Sequence, residues 1–98
     1  MQVIDGMNAL DLARVCHVDL SLAQAWLDGE DQPSDAVIGR LRLVQTVMDG
    51  LARNGLGEPE ERVEWLRNPN RAFGYEAPID LLARGEPQAV LDYIERLS

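Results

Sequence analysis

Apolar side chains recur along this chain at spacings of three and four, with no sustained alternation of two, which predicts helices throughout and no sheet. Glycine and proline separate the periodic stretches. A first helix is expected behind Asn8, a good N-cap, running through Leu10, Leu12, Ala13 and Val15 to about Cys16. His17-Val18-Asp19 links it to a second helix, capped by Asp19, that carries Leu22, Ala23, Trp26 and Leu27 and stops at Gly29. After the polar loop from Glu30 to Pro33, Ser34 caps the longest helix, about 34–53, in which Val37, Leu41, Val44, Met48 and Leu51 form one stripe. Ile38, Leu43 and Val47 extend its apolar character, so this spine helix is expected to meet neighbours on two sides.

Asn54-Gly55-Leu56-Gly57 marks a boundary between an N-terminal portion, 1–54, and a C-terminal portion, 57–98. Pro59 sits where a first helical turn tolerates it, with Glu58, Glu60 and Glu61 at the positive end of the helix dipole ahead of Val63, Trp65 and Leu66. Asn68-Pro69 ends that helix, Asn70 to Phe73 can make one turn before Gly74, Pro78 opens a short helix ending at Gly85, and Pro87 opens the last, about 87–97. Acids precede Arg by four residues at Asp49/Arg53, Asp80/Arg84 and Asp92/Arg96, the favourable order for surface pairs on a helix.

Composition narrows the functions open to such a chain. With 98 residues it can bury roughly 60–70% of its unfolded surface, enough for one core but with little left to enclose a substrate. No self-contained enzyme is expected. All nine cations are Arg, against seventeen acids, giving a net charge of −8 that divides evenly between the two portions. Neither half is basic enough to hold nucleic acid by charge alone. The single cysteine, Cys16, excludes an internal disulfide and a four-cysteine zinc site, and suits a reducing compartment. No apolar run exceeds three residues, so neither a membrane span nor the apolar stretch of a secretory signal is expected, and the default address is cytoplasmic.

Candidate chemistry is sparse. Cys16-His17 cannot build a metal or nucleophile site alone, because neighbours at a helix end point apart and His17 is the only histidine. Cys16 reads as a small core residue and His17 as a turn residue tolerating positive φ. Glu58, Glu60, Glu61 and Glu64 read as a solvated helix start without calcium-loop spacing. No metal and no cofactor are expected. The first two helices and their short link fit a helix-turn-helix, whose second helix would offer Ser21 and Gln24 to base edges. Asp19, Asp28, Glu30 and Asp31 surround those positions, and Arg14, Arg40 and Arg42 are the nearby cations, so the pair reads either as a poor groove reader or as a scaffold.

The stretch from Trp65 to Leu97 closely resembles the toxin-binding C-terminal domain of Xre/MbcA/ParS-type antitoxins. The likeness rests on Trp65-Leu66, Pro69-Asn70, Phe73-Gly74, the Pro78-Ile79-Asp80-Leu81-Leu82 unit, Gly85-Glu86, and a closing helix with Val90 and Ile94 at helical spacing. It spans about a third of the chain. Upstream, Leu12-Ala13, Val18, Trp26-Leu27 and the Gly29 to Ser34 loop resemble the Xre-type helix-turn-helix that precedes this domain. Three departures stand out: only Met1 to Met7 precede Asn8, where the family carries a further helix; His17 replaces a turn glycine; and the recognition helix lacks cations.

The resemblance implies an all-α protein, a reduced Xre-like helix-turn-helix followed by a small helical toxin-binding domain, in a type II toxin–antitoxin system. Family members are not enzymes. They bind RES-domain toxins, which are similar to ADP-ribosyl-transferring enzymes and consume NAD, and cover the toxin's active-site entrance; many also repress their own operon. An acidic protein complements the cations a dinucleotide cleft should present. The last helix and chain end are expected to do the covering, with Asp92, Tyr93, Glu95, Arg96, Leu97 and Ser98 at the toxin and Asp92 and Glu95 answering its cations. The alternative is that Val90, Leu91, Ile94 and Leu97 only close the core and the toxin meets another face. Trp65, Leu66, Phe73, Ile79, Leu82 and Val90 are expected in the core, Pro69, Gly74, Pro78 and Gly85 in turns, and Asn70 and Asp80 as local backbone braces. The long helix 34–53 is the expected dimerisation surface, in a homodimer or a larger complex with the toxin.

Overall fold

A computed structural model describes residues 4–97. They form an all-α fold of six helices: α1 (Ala9–Cys16), α2 (Leu20–Asp28), α3 (Asp35–Arg53), α4 (Pro59–Arg67), α5 (Pro78–Ala83) and α6 (Gln88–Leu97), with a 3-10 turn at Arg71–Phe73. The starts follow local chemistry. Asn8 and Asp11 close a reciprocal capping box on α1, the Asn8 side chain accepting from the Asp11 amide at 3.0 Å and the Asp11 carboxylate accepting from the Asn8 amide at 3.1 Å. Ser34 caps α3 by accepting from the Val37 amide at 3.3 Å. Pro59 and Pro78 open α4 and α5 from the first turn. Asp19 stands at the N-cap of α2, but its side chain accepts no capping hydrogen bond, which corrects the expectation from sequence.

One core runs through both portions of the chain. Leu12 and Val15 of α1, Ala23 and Trp26 of α2, and Val44, Val47, Met48 and Leu51 of α3 join Val63 and Leu66 of α4, Ile79 and Leu82 of α5, and Val90 and Ile94 of α6. The long helix α3 is the spine, packing on α1, α4 and α6, while α1 packs on both α2 and α5.

The arginines fasten the two portions together across long sequence distances. Arg67 of α4 donates to both oxygens of Asp11 on α1, Nε to Oδ1 at 2.8 Å and Nη2 to Oδ2 at 2.7 Å. Arg14 makes the same two-pronged contact with Asp80 of α5, both distances 2.8 Å. Arg40 of α3 donates to the carbonyls of Ala83, at 2.6 Å, and Val15, at 3.4 Å, answering the negative ends of α5 and α1.

The expected surface pairs are therefore corrected. Asp80 turns away from Arg84 to Arg14, Arg84 holds Glu76 and Glu86 instead, Asp49 accepts from Gln45, and Arg96 donates to the Asp92 carbonyl rather than its carboxylate. A two-pronged partner on another helix satisfies both carboxylate oxygens, which outweighs a flexible pair worth a few tenths of a kcal/mol.

Asp11 is the buried member of this set, 5% exposed. Burial would raise its carboxyl, but hydrogen bonds from Arg67 and Asn8, with the charges of Arg67 and Arg14, hold it below its ordinary value of 3.8. Because the folded value is depressed, the stabilisation is present above the unfolded value and is lost as pH falls through the folded one. Asp11→Asn is expected to cost about 1–3 kcal/mol at pH 7, and the gap to wild type should close as urea titrations are repeated at pH below the ordinary Asp range.

Candidate functional site

The last helix presents two different faces. Val90 and Ile94 point inward, and Ile94 seats against Gly50 of α3, where a Cβ atom would lie 2.5 Å from Ile94 Cγ2. Glycine is thus required at that contact for close approach, and it fixes how far α6 sinks toward the spine. The other face carries Gln88, Ala89, Asp92, Glu95, Arg96 and Leu97, all exposed. Gln88 donates to Asp92 at 2.7 Å, and Asp92, Glu95 and Arg96 line a surface depression. Leu97 is 49% exposed, so it does not close the core with Val90 and Ile94; Leu91 is half-buried against it. Ser98, expected at the same end, lies outside the described residues, as do Met1 to Val3 of the segment ahead of Asn8.

Trp65 and Phe73 correct a second expectation. Leu66, Ile79, Leu82 and Val90 are fully buried, but these two rings are only half-buried. They meet Tyr93 of α6 in a three-ring cluster. Trp65 and Tyr93 are near-parallel at 6.0 Å between centroids, and the Phe73 ring stands edge-on to both, at 6.1 Å from Trp65 and 5.3 Å from Tyr93. The cause is geometric: the core side of α4 is already filled by Val63 and Leu66, and the 3-10 turn that carries Phe73 lies outside it. Gly74 and Tyr75 both have left-handed backbones, φ 65 and φ 67, and Tyr75 projects into solvent at 69% exposure. Nothing in the helical spacing marks Tyr75, because its exposure follows from a turn rather than from a periodic face.

The remaining motif residues shape this end of the molecule. Asn70 braces the turn as expected, accepting from the Ala72 amide at 2.9 Å, and pairs with Glu76 in an isolated bridge. Pro69 lies exposed beyond α4, Pro78 is buried at the start of α5, and Gly74 and Gly85 take left-handed turns. Glu86 pairs with Arg84 at 3.0 Å. Asp80 braces α1 through Arg14 instead of its own backbone; the hydrogen bond from Arg14 holds its carboxyl below the usual range despite partial burial.

The N-terminal pair offers little to a phosphate backbone. Ser21 and Gln24 are exposed on α2, but Gln24 donates to Asp28 at 3.1 Å, and Asp19, Asp28, Glu30 and Asp31 are exposed around them. Arg14 and Arg40 are engaged by Asp80 and by backbone carbonyls. The free protein is expected to give no mobility shift with its own promoter even at low salt, where charge attraction to DNA is strongest. Burial pushes the Cys16 thiol up, with Arg40 opposing, so the thiolate a nucleophile needs is disfavoured. Among the described residues no three of His, Cys, Asp and Glu gather as a metal site, and no helix is long and apolar enough to cross a membrane.

Residues 51–98 match the family model of the antitoxin Xre/MbcA/ParS C-terminal toxin-binding domain. The match opens in the last turn of α3 and takes in α4, the three-ring cluster, α5 and α6; Gly50, the seat of Ile94, lies one residue ahead of it. No curated protein and no solved structure matches the chain. This stretch, just under half of the chain, is thus similar to a toxin-binding antitoxin domain.

Proposed function

We propose that this protein is the antitoxin of a type II system and neutralises a RES-domain, NAD-consuming toxin by covering its active-site entrance with α6 and the chain end. The observation that carries the reading is the match of residues 51–98 to a toxin-binding domain, taken with a closing helix whose inner face is locked on Gly50 and whose outer face is left exposed and polar. Asp92 and Glu95 supply carboxylates for cations at the entrance, and Tyr93, Arg96 and Leu97 supply contact area. Covering an entrance needs no catalysis by this chain, and in this reading the protein works with no cofactor, in the cytoplasm beside its target.

Residues 1–54 act in this reading as a reduced helix-turn-helix that supports residues 57–98 through the Asp11–Arg67 and Arg14–Asp80 contacts. The acidic surroundings of Ser21 and Gln24 favour operator repression by the toxin-bound assembly over repression by the free protein. Dimerisation runs through α3, where Leu43 stays half-exposed; Leu43→Glu is expected to turn a dimer into a monomer in light scattering. Co-expression with a RES-domain protein encoded beside this one tests the function. Rescue of growth and a co-purifying complex are expected; a toxin that stays lethal with no complex overturns the proposal.

A further inference from the structure

We propose that the three-ring cluster of Trp65, Phe73 and Tyr93, together with Tyr75, anchors the partner protein, and that the partner seats an Arg or Lys side chain against these rings. The inference rests on the toxin-binding reading and extends its contact from Tyr93 of α6 to α4, the 3-10 turn and Tyr75, with a stated chemistry.

The rings stand at the edge of the core rather than inside it: Trp65 and Phe73 pack against it while only half-buried. The fully buried side chains are aliphatic, and Trp26 is the one aromatic residue of five that is buried. The other four all fall within residues 51–98, and each keeps part of its surface in water. Packed edge-on and near-parallel within about 6 Å, Trp65, Phe73 and Tyr93 hold one another in place. A partner meeting them has little rotamer freedom to remove, which is how Trp and Tyr become energetic centres of interfaces. Tyr75 adds a further ring from a left-handed backbone that costs a non-glycine residue about 1–2 kcal/mol. The Tyr75 amide closes the turn on the Asn70 carbonyl at 3.0 Å, but its ring, 69% exposed, adds little packing to the fold.

Charge selects the occupant. Glu61 and Glu64 are exposed one turn and one residue before Trp65, the latter shared with Arg67 at 3.5 Å, and Asp92 is exposed beside Tyr93. A cation over the exposed ring surface gains from the aromatic quadrupoles and from the longer-range field of the carboxylates carried on the same helices. A nucleic acid would meet those carboxylates and a net charge of −8, and a second copy would bring the same charge with it.

The test measures affinity for a RES-domain toxin that co-expression identifies as the partner, using the full chain and the variants Tyr75→Ala, Tyr93→Leu, Tyr93→Phe and Glu61→Gln, with thermal melts of each to confirm folding. Tyr75→Ala and Tyr93→Leu are each expected to weaken binding about tenfold or more, mainly through faster dissociation. Tyr93→Phe should keep most of the affinity, and Glu61→Gln should slow association at low salt. No binding by the wild-type chain overturns the toxin reading and this inference together. Wild-type binding left undiminished by Tyr75→Ala overturns this inference alone, whatever Tyr93→Leu does, because Tyr93 also belongs to the α6 contact. A free protein that self-associates and becomes monomeric on Tyr75→Ala also overturns it, since the rings would then be a self-contact.

Discussion

Ending the chain at Ile94 is expected to leave a folded protein that no longer protects against the toxin. The residues removed include Glu95, Arg96 and Leu97, all exposed, whereas Ile94 at 5% exposure stays in place against Gly50. Stability should change by no more than about 0.5 kcal/mol, the usual range for surface positions. Toxin affinity should fall at least thirtyfold, equivalent to ~2 kcal/mol, if this end covers the active-site entrance. Cutting one residue earlier is a different experiment. Loss of the buried Ile94 side chain should itself cost about 2–5 kcal/mol, so lost protection would then report unfolding rather than lost contact. Thermal melts beside binding titrations separate the two, and full affinity in the chain ending at Ile94 would move the toxin contact to another face.

Gly50→Ala should destabilise the protein although alanine is the better helix former. Helix propensity alone favours the substitution by about 1 kcal/mol. Against it, the new methyl would sit 2.5 Å from Ile94 Cγ2, an atom on the branched carbon next to the α6 backbone, whose χ1 strongly prefers one rotamer in a helix. Overpacking of this kind costs typically ~1–3 kcal/mol and forces α6 away from α3. The net loss should be about 1 kcal/mol for alanine and larger for valine, read from urea midpoints. Ile94→Ala in the same chain removes the obstructing carbon, so the double variant should be more stable than the sum of the two single losses. Additive losses would show that the contact is not what excludes a side chain at position 50.

Those two experiments bear on a site that was only partly legible in the sequence. Helix limits were legible because local chemistry sets them: Asn8 and Ser34 cap as read, Gly29 stops α2, Pro59 and Pro78 open α4 and α5, and His17 takes a left-handed backbone with φ 55. The core members of the toxin-binding motif were legible from their period, as Leu66, Leu82 and Val90 show. Long-range pairing was not. Arg14 and Asp80 lie 66 residues apart and Arg67 and Asp11 56 apart, and helical spacing sees only neighbours within a turn. For the same reason Trp65 and Phe73 read as core. Their half-burial depends on Val63 and Leu66 filling the interior first, and their stacking partner Tyr93 comes from another helix. Acidic composition alone only excludes partners; the structure adds that Glu61 and Asp92 are exposed on the same helices that carry Trp65 and Tyr93.

The most direct measurement follows NAD consumption by a purified RES-domain toxin of the class proposed as partner, with this protein added in increasing amounts. The expected result is a linear fall in rate that reaches zero at a stoichiometric ratio, as a tight cover on the active-site entrance requires. An unchanged rate at excess protein, whether or not a complex forms, would contradict neutralisation by covering the entrance.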